Sequence, residues 1–257
     1  MLWYDVKRAL SVRYYLLGVI IMLLTICIDG LDILADIIRR NVFLECGWSV
    51  QFVEHMLLGD MMTFALPIVC TLPFSSSFID EYKCGQIWYV LGRISKKRYI
   101  YSKAITTAIS GGSVLFAGSF LSFFIYRMLF YSIEKNNLVG TGVLVFGEMF
   151  EMIWKLSVRN FAYGALCAGL GLTIATALNN RYMAWIGPFM IQYLLIILCE
   201  RYKCDIVILY PKEWINPSLI WPFEQWSVPL WLFFLTFFVL WIFLLIAERK
   251  ISDANKI

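Results

Sequence analysis

Histidine is nearly absent from this 257-residue chain, with His55 its one instance. A single imidazole cannot build a His-based zinc or di-metal hydrolytic centre, and no GxSxG-like serine accompanies it to form an intramembrane Ser–His dyad. The chain also lacks a G-x-x-x-x-G-K-[ST] loop, so it cannot cradle and split ATP by itself. Its seven cysteines contain no CxxC pair. Cys27, Cys70 and Cys167 fall within apolar runs, where a thiol packs as a small hydrophobe, while a disulfide between Cys46 and Cys204 stays open. Charged residues make up only 16%, and the net charge of +4 is scattered rather than gathered on one face, which argues against a nucleic-acid surface. No internal repeat or low-complexity linker divides the chain, so residues 1–257 are expected to form one membrane domain.

What fills the chain is hydrocarbon: 61% hydrophobic residues, 17% of the total aromatic. They come in long runs of the kind a bilayer requires, because a helix needs about 20 apolar residues to cross. Six runs qualify as predicted spans: Tyr14–Ile28, Met56–Phe74, Tyr99–Tyr126, Val158–Leu178, Met183–Cys199 and Val228–Ala247. The expected fold is therefore an all-α polytopic membrane protein with six transmembrane helices. The first run is short and could extend past Asp29 toward Leu34. Ahead of it, Leu2–Arg13 reads as an interfacial helix, with Val6, Leu10 and Tyr14 at helical spacing and Lys7, Arg8 and Arg13 among headgroups.

Placing the N-terminus on the inner side puts thirteen of the twenty-two Lys and Arg residues in inner segments and the C-terminus on the same side. Asp29, Asp32 and Asp36 share a helical face beyond the first span. A solvated face compensated by Arg39 and Arg40 is the expected reading over a cation lure. Gly111, Gly112 and Gly118 in the third span, with Gly164, Ala165, Ala168, Gly169 and Gly171 in the fourth, predict a closely packed helix pair. Asn179–Tyr182 is a tight hairpin. Pro211, Pro217 and Pro222 with Trp214, Trp221 and Trp226 predict short helices re-entering the outer leaflet before the last span.

Ionisable and kink-forming residues inside spans are functional candidates, since a charge at mid-bilayer costs about 2.5 to 3.5 kcal/mol on insertion scales. Asp60 and Pro67 in the second span, and Pro188 and Gln192 in the fifth, mark a candidate translocation path, with Asp60 equally readable as an interfacial charge. His55 reads as interfacial.

Residues 75–103, SSSFIDEYKCGQIWYVLGRISKKRYIYSK, are a charged insertion between apolar runs. Ser77 and Asp80 fit a capping box, predicting one helix over about 77–91 that begins at Phe78. Phe78, Tyr82, Gly85 and Tyr89 share a face suited to a protein socket, and Arg93–Arg98 form a basic headgroup anchor. An ordinary positive-inside loop is the plainer alternative. The series Phe78, Glu81, Tyr82, Gly85, Leu91, Arg93, Ser95, Arg98 and Lys103 resembles the cytosolic signature of type 2 ABC exporter permease subunits. Gln86 stands where that family often has threonine, and Ile94 where it often has proline.

The resemblance implies a coupling helix between the second and third spans, seated in a separate ATPase, with a second permease subunit completing a homo- or heterodimer. It makes Phe78, Glu81, Tyr82, Gly85 and Gln86 the candidate ATPase contacts, and Arg98 and Lys103 candidate inner-leaflet anchors. No residue would be catalytic and no cofactor would be held here, ATP and Mg belonging to the partner. The substrate would be an amphipathic or hydrophobic molecule exported across a bacterial plasma membrane, in contact with membrane lipid. An ion-gradient-driven secondary transporter and a non-transporting scaffold or sensor are the alternatives.

Overall fold

The computed structural model describes residues 2–11, 13–40, 48–57, 59–135, 142–202, 207–215, 217 and 227–254. They are helical nearly throughout: α1 (Leu2–Ser11), α2 (Arg13–Arg40), α3 (Trp48–Leu57), α4 (Asp60–Val69), α5 (Ser77–Lys83), α6 (Gln86–Leu91), α7 (Lys96–Lys135), α8 (Gly142–Leu178), α9 (Met183–Tyr202), α10 (Pro211–Ile215) and α11 (Ser227–Ala254). Five of these are long and apolar enough to cross a membrane: residues 13–31 of α2, 96–129 of α7, 147–178 of α8, 183–201 of α9 and 227–253 of α11. Apolar side chains exposed on their outer faces, such as Leu16, Phe124, Met190 and Phe237, agree with a hydrocarbon surround rather than water.

The stretch predicted as one span, Met56–Phe74, is instead built in pieces. α3 ends at Leu57, and α4 covers only 10 residues. At 1.5 Å per residue α4 spans about 15 Å, half of a roughly 30 Å hydrocarbon layer. A series of turns over residues 70–76 then carries the chain on to α5. α4 runs antiparallel to α2: the amide of Met62 donates to Asp29 Oδ2 at 3.3 Å near one end, and Val69 meets Gly18 near the other. The helix of the first span continues past Asp29 to Arg40, with its membrane-length apolar stretch ending at Leu31.

α8 is the central helix. Of its spanning window 72% is buried, against 22% for α11 and 28% for α2 and α9. Small residues permit this, as expected for the α7–α8 pair: a side chain at Gly164 would come within 2.6 Å of the Gly111 carbonyl oxygen. Not every glycine serves that pair, however. Gly118 faces Met22 of α2, Gly169 faces α11, and Gly171 faces the Ala184 carbonyl of α9.

The bundle has two distinct ends. At one, here called the terminal end, α1 lies beside the start of α7, α5 packs on the last turns of α11 through Phe78 and Phe243, and Lys250 reaches the end of α8. At the opposite end, Glu54 of α3 meets Arg159 of α8, and Trp214 of α10 donates its indole N–H to Ile208 O at 2.8 Å. Asn179 turns α8 into α9 in the left-handed region with φ of 54°, and Asn180 Oδ1 accepts the Tyr182 amide. Of the expected re-entrant segment, a 3-10 turn at Val207–Leu209, α10 and Pro217 are described, whereas Trp221, Pro222 and Trp226 lie outside the described residues. Cys46 and Cys204 lie outside them too, as do the side chains of Asp32 and Asp36.

Candidate functional site

Residues 75–103 gather most of the polar geometry at the terminal end, though not in the form their sequence predicts. The capping box does not form. Ser76 occupies the cap position with helical dihedrals and makes no side-chain cap, and Ser77 Oγ is buried without a partner among the described residues. The reason is that the preceding turns already run in helical register. Thr71 O accepts from Ser75 N, Phe74 O from Ser77 N and Ser76 O from Asp80 N, so the Ser77 amide that opens α5 already has a backbone acceptor. The single helix over 77–91 is also broken. Gly85 adopts φ of 72°, a conformation glycine takes without cost, and this splits α5 from α6.

The break divides the predicted socket face. Phe78 is fully buried, edge-to-face with Phe243 at a centroid distance of 5.4 Å and close to Tyr99. Glu81 is buried as well, and so two of the five candidate ATPase contacts face the bundle. Tyr82 is half-buried, with Lys250 Nζ 5.0 Å above its ring. Gly85 is half-buried at the elbow, while Gln86, Trp88 and Tyr89 are exposed, Tyr89 at 83%. Arg98 is exposed on the first turn of α7. Lys103, expected to extend toward headgroups, is instead fully buried.

Glu81 is the hub. Its Oε1 accepts from Lys103 Nζ at 2.7 Å and Arg8 Nη1 at 2.9 Å, and its Oε2 accepts from the Tyr99 hydroxyl at 2.6 Å. Lys103 also lies 3.7 Å from Asp5 Oδ1, and Ser102 donates to Asp5 Oδ2 at 2.6 Å. Three elements, α1, α5 and α7, are thereby joined through two carboxylates and two cations. Burial raises the Glu81 carboxyl, but the adjacent Lys103 ammonium, its hydrogen bond, the Tyr99 hydroxyl and Arg8 together outweigh this and hold it below its ordinary value. Asp5, Arg8, Tyr99 and Ser102 were not expected from sequence. The signal was present, since Tyr99, Ser102 and Lys103 recur at helical spacing and Asp5 is a lone carboxylate among the cations of an interfacial helix.

Beside this hub, a groove of about 570 Å³ runs between α1 and α6, walled by Tyr4, Asp5 and Arg8 on one side and by Gln86, Tyr89 and Arg93 on the other.

The candidate translocation residues lie elsewhere. α4 and α9 pack side by side around a groove of about 140 Å³ lined by Thr63, Phe64, Phe189, Gln192 and Tyr193, with Glu200 and Lys212 at its rim. Gln192 is buried. It accepts from the Tyr163 hydroxyl of α8, while its Nε2 has no partner among the described residues. Pro67 and Pro188 are buried within α4 and α9. Asp60 opens α4, but its side chain lies outside the described set. Among the described side chains of α8 the buried basic residue is Arg159, 3.5 Å from Glu54 and with its Nε unpartnered among the described residues.

Among the described residues no group of three or more His, Cys, Asp or Glu side chains could hold a metal ion. No family model, no curated protein and no solved structure matches the chain, so its own residues and geometry carry the functional reading.

Proposed function

We propose that this multi-pass membrane protein is the membrane-spanning subunit of an ATP-driven exporter, receiving force from a separate ATPase at the α5–α6 elbow. The observation that carries the reading is the construction of that elbow. On its outer half Gln86, Trp88 and Tyr89 are exposed while Ile87 anchors α6 to the core, and its inner half is tied through Glu81 to α1 and α7 and through Phe78 to α11. A push on α6 would reach three other helices through buried contacts, which is what a transmission element requires. In this reading the chain crosses the bilayer six times, the second crossing formed by α4 with residues 70–76, and both termini are cytoplasmic. The ATPase contacts move outward relative to the sequence expectation. Gln86, Trp88 and Tyr89 touch the partner, whereas Phe78, Glu81 and Lys103 position the elbow.

The groove between α4 and α9 supports a translocation wall there, because two proline-bearing helices flank a buried amide among aromatic side chains. A second permease subunit would complete the path on that face. An ion-gradient mechanism needs ionisable groups near mid-bilayer. Among the described residues the interior ion pairs lie toward the two ends of the bundle, around Glu81 and Glu54.

Co-purification with a soluble ATPase tests the proposal. Replacing Trp88 and Tyr89 by alanine should abolish pairing and ATPase stimulation while leaving the fold intact. Undiminished pairing in that variant would reject the elbow as the docking element. Flux that persists after ATP depletion but collapses with the proton gradient would favour secondary transport.

A further inference from the structure

A second cleft at the terminal end, about 240 Å³ in volume, opens between α1, the turns before α5, and the start of α9. Its lining is unusual for a hydrophobic bundle. Arg8 and Arg181 supply two guanidinium groups, Asp80 and Glu81 supply carboxylates, that of Glu81 already held by Arg8 and Lys103, and Leu72, Pro73 and Phe74 supply an apolar floor. Ser77 and Trp185 line it too, and Ser77 Oγ and Trp185 Nε1 are both buried without a hydrogen-bond partner among the described residues. Buried polar atoms are nearly always satisfied in native proteins, so two orphans on one cleft call for an acceptor that the protein does not provide. An indole N–H can only donate.

The cleft also sits at a defined depth. α2 and α9 begin beside it, at Tyr14 and Trp185, and the turns completing the α4 passage end in it. Tyrosine and tryptophan at the ends of spanning helices mark the headgroup level of a bilayer. Its volume far exceeds the roughly 10–15 Å³ needed for one water.

We infer that this cleft binds the headgroup of a phospholipid carrying both a phosphate and a primary ammonium, as phosphatidylethanolamine does. The phosphate oxygens accept from Arg181, from the free guanidinium nitrogens of Arg8 and from the indole N–H of Trp185. The ammonium donates to Asp80, and the glycerol end rests on the apolar floor. A purely anionic headgroup would leave Asp80 facing like charge. A quaternary choline has no N–H to give it. Arg8 also holds Glu81, so an occupied cleft would brace the elbow from the lipid side. The inference depends on the chain being embedded in a bilayer and not on its pairing with an ATPase.

Native mass spectrometry of the purified full-length chain, loaded in turn with phosphatidylethanolamine, phosphatidylcholine, phosphatidylglycerol and inorganic phosphate, tests this. Phosphatidylethanolamine should be retained about tenfold more strongly than the other two lipids, the effect of one charge-assisted hydrogen bond. Asp80→Asn should remove its advantage over phosphatidylcholine, and Arg181→Gln should weaken retention of all three lipids. Trp185→Phe, which keeps the ring but removes the donor, should weaken retention without loss of folding. Glu148→Gln at the opposite end should change nothing. Equal retention of the three lipids, a phosphatidylethanolamine preference that survives Asp80→Asn, or equal stabilisation by inorganic phosphate alone would each overturn the assignment.

Discussion

Lys103 Nζ of α7 lies 2.7 Å from Glu81 Oε1 of α5, and the two side chains are only 1% and 8% exposed. Both ions have given up hydration, which the pair alone repays incompletely. Tyr99, Arg8 and Asp5 supply the remaining partners. Removing one partner should therefore cost more than removing both. Lys103→Met, which removes the buried cation and leaves Glu81 only Arg8 and Tyr99, is expected to destabilise by about 3 kcal/mol. The double variant Lys103→Met with Glu81→Gln should recover part of that loss. Thermal unfolding in detergent across the double-mutant cycle measures the coupling, and strictly additive losses would refute it.

The same carboxylate predicts a pH dependence. The folded-state pKa of Glu81 is depressed below its ordinary value of 4.5, so its contribution is present in full above that value. It should be lost as pH falls below 4.5 through the folded-state value, because the unfolded chain then binds the proton more readily. Stability of the wild type measured over this acid range should fall more steeply than that of Glu81→Gln, and parallel curves would contradict the burial of a charged Glu81.

Gly85 marks the elbow, and nothing lies within 4 Å of the place where a side chain would be added. Gly85→Ala therefore probes backbone conformation without a clash. It is expected to cost about 1–2 kcal/mol from the left-handed conformation alone. In the proposed function it should also lower ATPase pairing by shifting α6 relative to α5. Gly164→Val differs, since its side chain would run into the Gly111 backbone. That substitution should prevent folding, seen as loss of monodisperse protein in size-exclusion chromatography.

Tyr163 and Gln192 make a cross-helix hydrogen bond beside the α4–α9 groove. Gln192→Leu leaves the Tyr163 hydroxyl buried and unpartnered, so a loss of about 1–3 kcal/mol is expected. Adding Tyr163→Phe should restore much of it by removing the stranded group. If transport follows this groove, the restored double variant will be stable yet altered in flux, and unchanged flux would remove Gln192 from the path.

The topology can be read chemically. In a cysteine-free background, Trp3→Cys and Ser252→Cys should be labelled by an impermeant thiol reagent from one face of the membrane, and Glu148→Cys from the other. Trp3, Ser252 and Glu148 are all exposed, so accessibility does not confound the result. Labelling of Trp3→Cys and Ser252→Cys from opposite faces would reject the six-crossing reading.

How legible the chain was differs from element to element. α7, α8, α9 and α11 are where their apolar runs predict them, because an uninterrupted hydrophobic run of sufficient length has only the helix with which to satisfy its backbone in lipid. Hydropathy alone, however, reads Met56–Phe74 as continuous. It is insensitive to the pieces into which α3, α4 and the following turns divide that run.

For the candidate site, composition and spacing placed the charged elbow between the second and third apolar runs. They ran Gly85 through the middle of one helix and did not show that its φ is positive. Which way Phe78, Glu81 and Lys103 point was decided by tertiary structure. Helical spacing assigns residues to a face but does not say what that face meets. α1 and α7 bring Arg8, Asp5, Tyr99 and Lys103 around Glu81 from positions up to 98 residues apart in the chain, Asp5 to Lys103. A carboxylate that looks free for a partner in the one-dimensional chain is, in the folded protein, neutralised by cations from two other helices, since burying it uncompensated would cost more than the fold can supply.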